Sequence, residues 1–288
     1  SGGAMILKRK IYKKLLEWKK ECQGKKALLI EGARRIGKST ICEEFGKNEY
    51  KSFLLIDFAK KDKEVEGYFE KYLNDLDTFF MLLQTHFGTK LTERNSLIIF
   101  DEVQMFPQAR AAIKYLVADG RYDYIETGSL ISIRENVKNI VIPSEERHIN
   151  MYPLDFEEFA IALEEDLLVE YIKKCFEKRE PLERSMHNQA MLLFHQYMLV
   201  GGMPMPVVTF IESKKDFTEA DREKRDILKL YREDIMKIDA KYRSKVLAIY
   251  DQIPGFLSQH EKRVVFKKLQ DGSYACLLYT SPSPRDTR

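Results

Sequence analysis

Residues 32 to 39 read Gly-Ala-Arg-Arg-Ile-Gly-Lys-Ser, followed by Thr40. Two glycines separated by four residues, then a lysine and a hydroxyl residue, are the spacing of a loop that wraps phosphate. The glycines let the backbone curl, successive N–H groups face the anion, and a helix N-terminus adds its positive end. Gly32, Ala33, Arg34, Arg35, Ile36, Gly37, Lys38, Ser39 and Thr40 are therefore the candidate nucleotide-binding residues. Lys38 would reach the β- and γ-phosphates, the Ser39 hydroxyl would ligate magnesium, and Thr40 would touch the α-phosphate. A glycine-rich turn without ligand is the alternative use of the same residues.

A second set of reactive groups lies further along. Asp101 and Glu102 follow directly on the apolar run Leu97-Ile98-Ile99-Phe100. A strand ending there delivers two carboxylates to one sheet edge, where open α/β sheets bind ligands. Asp101 is expected to hold magnesium through water, and Glu102 to polarise the attacking water as general base. Acidic pairs after strands also serve as helix caps. Thr127-Gly128-Ser129 ends the next apolar run, and Ser129 is the expected contact to the γ-phosphate or the water, with Thr127 beside it. A turn built on Thr-Gly-Ser competes with that role. No Asn-Lys-x-Asp motif that would read guanine is present. ATP and Mg2+ are therefore the expected cofactors.

The elements that must position these groups are legible as periodicity. Ala27-Leu28-Leu29-Ile30, Phe53 to Phe58, Leu97 to Phe100 and Tyr122 to Glu126 read as strands, and His148 to Met151 and Ile140-Val141-Ile142 as a further strand or hairpin. Helical spacing covers 7–22, about 38–47, 63–87 with a break near Asn74-Asp75, and 109–117 after Pro107. Strands alternating with helices call for right-handed crossovers, hence a mostly parallel sheet with helices on both faces. From Asp155, with Glu158 three residues on as a capping box, the chain reads as helical to about Val200. After Gly201-Gly202-Met203-Pro204, helical patterns resume from 206 to 258. The fold class expected is α/β: a P-loop NTPase parallel sheet core flanked by helices, followed by an all-helical module.

Bulk properties limit the partners. Forty-eight basic against 45 acidic residues leave a net charge of only +3, so no global field argues for nucleic acid or an anionic membrane. No apolar run approaches the roughly 20 residues of a membrane span, and the expectation is a cytoplasmic protein with no membrane contact. Four scattered cysteines and five dispersed histidines give neither a disulfide framework nor a zinc knuckle. Lys8, Arg9, Lys10, Lys13, Lys14, Lys19, Lys20, Lys25 and Lys26 form a basic face on the first helix. That face is the one local argument for nucleic acid, and lysines opposite an apolar stripe are also what any solvated helix shows.

Five segments in one order carry a family resemblance: Gly32 to Thr40, Leu-Ile-Ile-Phe-Asp-Glu-Val-Gln at 97–104, Thr-Gly-Ser at 127–129, Tyr-Pro-Leu-Asp-Phe-Glu-Glu-Phe at 152–159 and Gly-Gly-Met-Pro at 201–204. Together they resemble the prokaryotic AAA-superfamily ATPases that carry a C-terminal domain of unknown function. The resemblance implies an AAA-like core, magnesium-dependent ATP hydrolysis, and a helical region leading into a further C-terminal part. Where that family usually has Thr, Gly and Ser, this chain has Ser39, Glu146 and Asp155, and no catalytic group is lost. Arg147, between core and helical module, is a candidate sensor of γ-phosphate in cis or a finger on a neighbouring subunit; a surface ion pair is its other role.

The expected organisation is a basic amphipathic helix at 1–25, the ATPase core at 26–154, a helical lid-like module at 155–225 and the start of a truncated C-terminal domain at 226–275. Residues 276–288, which resemble translated sequencing adapter, read as a non-native tail. The function expected is ATP hydrolysis driving a conformational switch of the attached helical or C-terminal part. The alternative is a nucleotide-dependent binding module or nucleic-acid-associated switch with little turnover. ATP is the expected small-molecule partner, with a protein partner or self-association beside it.

Overall fold

The structure, a computed structural model, describes residues 5–129 and 146–258. Five strands, β1 (Ala27–Glu31), β2 (Ser52–Asp57), β3 (Ser96–Asp101), β4 (Asp123–Gly128) and β5 (Glu146–Asn150), form one sheet in the order β2-β3-β4-β1-β5. Every neighbouring pair is parallel. Parallel strands need crossovers that leave helices on the faces, which accounts for the near-continuous apolar runs of β1 and β3. The strand that leads into the phosphate loop, β1, and the strand that carries the acidic pair, β3, are not neighbours. β4 lies between them.

Helices α1 (Ile11–Cys22) and α2 (Lys38–Glu49) cover one face, with Leu15, Trp18, Ile41 and Phe45 packed on Leu28, Ile30, Leu97 and Ile99. Helices α3 (Lys63–Tyr72), α4 (Leu76–Phe87) and α5 (Pro107–Asp119) cover the other, where Phe69, Phe79, Phe80 and Ile113 meet Leu29, Ile98, Phe100 and Tyr124. The break expected near Asn74-Asp75 is real, because the Asp75 carboxylate accepts from the Thr78 N–H and starts α4. Gly120 ends α5 in the left-handed region, where a side chain would be strained.

Three sequence expectations change. The first helix begins at Ile11, not Leu7, so Lys8, Arg9 and Lys10 precede it. β4 extends to Gly128, two residues beyond the expected Glu126, which puts Thr127 inside the strand. The single helical stretch expected from 155 to 200 is three helices, α6 (Phe156–Ala162), α7 (Asp166–Lys178) and α8 (Arg184–Val200). Both halves of the capping box at Asp155 and Glu158 are formed. The strand expected at 140–142 and the tail at 276–288 lie outside the described residues.

After α8 come α9 (Pro204–Glu212), α10 (Phe217–Met236) and α11 (Ala240–Leu257). Leu154, Phe159, Leu193, Val200, Val207 and Phe210 make a third apolar cluster that holds α6, α8 and α9 together. The chain divides into two compact units between Glu223 and Lys224. In the second, Arg232 reaches both carboxylate oxygens of Asp251 at 2.8 and 3.0 Å, and the Tyr250 hydroxyl donates to the Leu228 carbonyl, joining α10 to α11. Among the described residues no single helix is long and apolar enough to cross a membrane; α8 and α9 reach that length only together, across a 120° bend.

A cluster of charged groups is buried between α5 and the sheet. Arg110 of α5 donates to Glu146 of β5 at 2.8 Å, with both side chains almost wholly enclosed, and His148 Nε2 lies 2.6 Å from the same carboxylate. Glu126 of β4 is fully buried beside them. Burial first, and then the Glu146 carboxylate, push the Glu126 carboxyl well above the ordinary range, while Arg110 opposes the shift.

Candidate nucleotide site

The loop between β1 and α2 takes its shape from two glycines and one buried isoleucine. A Cβ on Gly32 would lie 2.4 Å from the Met151 carbonyl oxygen, so only glycine lets the chain leave β1 against the end of β5. Gly37 has φ +90°, in the region that favours glycine. Between them the Ile36 side chain is fully buried among Leu28, Ile30, Ile41 and Met151, pinning the tip of the loop to the core. Gly37 caps α2 without a side chain, so the first N–H groups of the helix face the mouth of the loop, as an anion site requires.

Lys38 is buried, and its ammonium donates to the carbonyls of Gly32 and Ala33 at 3.1 and 2.8 Å. Burial lowers its pKa, and the carboxylates of Glu102 and Asp101 act in the other direction. The lysine charge therefore sits inside the loop with both acids near enough to stabilise it. Ala33, Arg34 and Arg35 in the same loop, and Thr40 at the start of α2, are exposed.

The Ser39 hydroxyl donates to Asp101, 2.8 Å from Oδ1 and 2.7 Å from Oδ2. Loop and acidic strand end are thus in direct contact. Asp101 is 7% exposed, and its Oδ1 also accepts from the Thr127 hydroxyl. Thr127 in turn accepts from the Glu102 N–H at 3.2 Å. Glu102 has φ +53°, a left-handed position that non-glycine residues seldom take. Its carboxylate accepts from the side-chain amide of Gln104, itself buried in the short 3-10 turn Val103–Met105. Strain at an acid held by a buried amide is the pattern of a group positioned for use.

Of the other residues singled out in the sequence, Ser129 lies buried just past the end of β4. Thr127, two positions earlier, is the one that touches both acids. Arg147 is not brought to the loop. It pairs in register with Leu28, three residues before the end of β1, and its guanidinium donates to Glu21 of α1 at 2.7 Å, half exposed. That is the surface ion pair, and a cis contact with γ-phosphate would need this pairing to be given up.

Sequence reasoning gave no role to Gln104 or Arg9. Gln104 closes the segment Asp-Glu-Val-Gln, and its place two residues past an acid was the available signal. Arg9 was counted with the basic face, yet its side chain is 6% exposed. It donates from Nη1 to the Ile36 carbonyl at 3.0 Å and from Nη2 to the Tyr152 carbonyl at 2.6 Å, with Nε 3.3 Å from Glu158. Nothing in the spacing of a lysine-rich segment marks that difference.

The segments at 152–159 and 201–204 form the wall behind the loop. Leu154 N–H donates to the Gly202 carbonyl at 2.7 Å, and the Tyr197 hydroxyl donates to the Leu154 carbonyl at 2.8 Å. A Cβ on Gly202 would lie 2.1 Å from that carbonyl oxygen. A Cβ on Gly37 would come 3.7 Å from Pro204 Cγ and 4.0 Å from Arg9 Nη1. Both segments therefore reach the loop through packing.

The donor set suits a hard cation. One serine hydroxyl and one carboxylate converge, and among the described residues no group of three or more His, Cys, Asp or Glu does so. Magnesium is commonly held by one or two protein oxygens, with phosphates and water completing its shell. Ser39 and Asp101 fit that requirement.

Residues 24–160 match the family model described as AAA domain. No curated protein matches the sequence. Among solved structures, the crystal structure of a DNA replication initiation factor is similar at 14% identity and TM-score 0.40, over 83% of this chain and 77% of that one. The structure of C. elegans PCH-2 is similar at 11% identity and TM-score 0.36, over 74% of this chain and 64% of that one. Overall similarity at that level carries no functional information.

Proposed function

We propose that the protein is a P-loop ATPase of the AAA superfamily, as the match of residues 24–160 to the AAA domain model supports, and that it binds ATP with magnesium and hydrolyses it, moving the helical segments behind the loop as it does so. The observation that carries the reading is the contact of Ser39 with Asp101. It joins the phosphate loop to the acidic strand end, with Lys38 inside the loop and Glu102 beside it.

Each residue has a task that its surroundings support. Lys38 exchanges its two loop carbonyls for β- and γ-phosphate oxygens. The N–H groups at the start of α2 hold the phosphates from below. Ser39 and Asp101 would hold magnesium, which when bound would neutralise phosphate charge. Glu102, oriented by Gln104, accepts the proton of the attacking water. Thr127 keeps Asp101 and the Glu102 backbone in one arrangement.

A switch that binds nucleotide without turnover does not require an oriented carboxylate, so the Gln104–Glu102 contact favours hydrolysis over that alternative. Nucleic-acid contact loses part of its support because Arg9 is withdrawn from the basic face. The reading carries with it a cytoplasmic setting, where ATP and magnesium are supplied. A protein partner or a second copy would receive the movement.

Binding and hydrolysis of ATP by wild type, Lys38→Ala and Glu102→Gln test the assignment. Loss of binding in Lys38→Ala, and retained binding with loss of turnover in Glu102→Gln, are the expected results. Unchanged turnover in Glu102→Gln would remove it as the base.

A further inference from the structure

We infer that Arg9 is a positioning residue for the phosphate loop: it fixes the Ile36–Gly37 peptide for phosphate and couples that peptide to the start of α6. The inference rests on the ATP reading above and deepens it. It starts from an arginine that lies outside every recognisable motif, yet has a nearly enclosed side chain.

The geometry specifies what the guanidinium does. Nη1 donates to the Ile36 carbonyl at 3.0 Å and Nη2 to the Tyr152 carbonyl at 2.6 Å, while Nε faces Glu158 Oε1 at 3.3 Å. The Ile36 carbonyl and the Gly37 N–H belong to one planar trans peptide and point in opposite directions. A donor that fixes the carbonyl on the outside of the loop therefore fixes the N–H toward the inside. Gly37, with φ +90° and no side chain, has the backbone freedom to turn this peptide over, so an external restraint has something to restrain. A cation on the carbonyl side also polarises the peptide and strengthens its N–H as a donor.

The same side chain reaches the helical region. Glu158 holds the capping box of α6 through the Asp155 N–H and also accepts from the Lys10 N–H at 2.6 Å. Lys10 reaches Asp155 and Glu157 at 2.6 and 2.7 Å. A change in the Ile36–Gly37 peptide is thereby passed through one rigid, planar group to the first turn of α6. Only a guanidinium can donate to two carbonyls from one plane while its charge faces Glu158; an ammonium at the same place would keep the charge beside Glu158 and lose the fork.

The test uses the full chain, with ATP and ADP in the presence of magnesium, by titration calorimetry. In Arg9→Lys and Arg9→Ala both dissociation constants should rise about tenfold, the scale of one hydrogen bond to a charged group, while turnover at saturating ATP stays within about twofold of wild type. Free guanidinium at millimolar concentration should restore affinity to Arg9→Ala, which a defect of folding alone would not allow. In wild type, ATP should slow hydrogen exchange at the Lys10 amide, a readout that needs no variant. Unaltered affinity in a folded Arg9→Lys, or unaltered Lys10 exchange on ATP binding, overturns the assignment of Arg9 alone. A wild-type chain that bound neither nucleotide would overturn the ATP reading beneath it.

Discussion

Ser39 and Asp101, 62 positions apart, meet so that one hydroxyl lies within 2.8 Å of both carboxylate oxygens. The two groups proposed to hold magnesium are therefore already in contact. Ser39→Ala should leave ATP affinity in chelator near the wild-type value and lose about tenfold or more of the gain that magnesium brings. Titrations with and without magnesium measure this. An equal magnesium effect in both proteins would exclude Ser39 as a ligand.

Thr127 bonds Asp101 through its hydroxyl and receives the Glu102 N–H. Thr127→Val keeps the shape and removes both bonds, leaving a carboxylate and an amide short of partners. A stability loss of about 1–3 kcal/mol is expected in denaturant melts, together with a fall in turnover larger than any change in ATP affinity. Ser129→Ala is the comparison that decides between the two hydroxyls at the end of β4. If Ser129→Ala slowed turnover and Thr127→Val did not, the assignment would reverse.

The space that a side chain at 202 would need is filled by the Leu154 carbonyl, 2.1 Å away. No rotamer can relieve a clash between Cβ and backbone. Gly202→Ala should cost about 3 kcal/mol and lower the melting temperature by several degrees. Because Pro204 borders Gly37, ATP should bind more weakly as well. A variant as stable as wild type would show that this junction is not rigid.

Glu126 gives a pH dependence with a defined sign. Its folded-state pKa is raised, by burial first and then by Glu146. A carboxyl shifted that way favours folding below its unfolded value of about 4.3, and this contribution is lost as pH rises through the folded value. Glu126→Gln retains the shape without titrating. The stability difference, variant minus wild type, should therefore become more positive between about pH 5 and about pH 8. A difference that does not change with pH would mean that Glu126 is not held neutral.

Arg147 pairs with Glu21 at the surface, away from the loop. Exposed pairs of this kind contribute little. Arg147→Ala should leave ATP turnover, oligomeric state and the melting transition as in wild type. A loss of turnover that appeared only at concentrations where the chain self-associates would restore its role as a finger in trans.

How much of this was legible in the sequence follows from the range of the forces involved. The shape of the loop from Gly32 to Ser39 was legible because glycines and helix start share eight residues, and the place of Asp101-Glu102 because they close a continuous apolar run. The strands were readable because burial on both faces leaves continuous apolar runs. The choice between Thr127 and Ser129 was not, since it depends on where β4 ends, and strand boundaries are fixed by pairing with Leu97 to Phe100 and Leu28 to Glu31. Arg9 was misread because its partners lie 27, 143 and 149 positions away, beyond any periodicity. The burial of Glu126 was hidden likewise, because its surroundings come from α5 and β5.

The insertion of β4 between β1 and β3 has one more consequence. Adjacent strands lie about 4.8 Å apart, so the end of β1 and the end of β3 are held about 10 Å apart across the sheet. That is a gauge block: under the proposed ATPase reading it would leave room between the loop backbone and Glu102 for a terminal phosphoryl group and one water molecule in line. In a sheet where β1 and β3 were neighbours, the acid would crowd the phosphate and the water would have nowhere to stand. In the proposed reaction the interposed strand would set the clearance, and Thr127, at its end, would be the shim that keeps it constant.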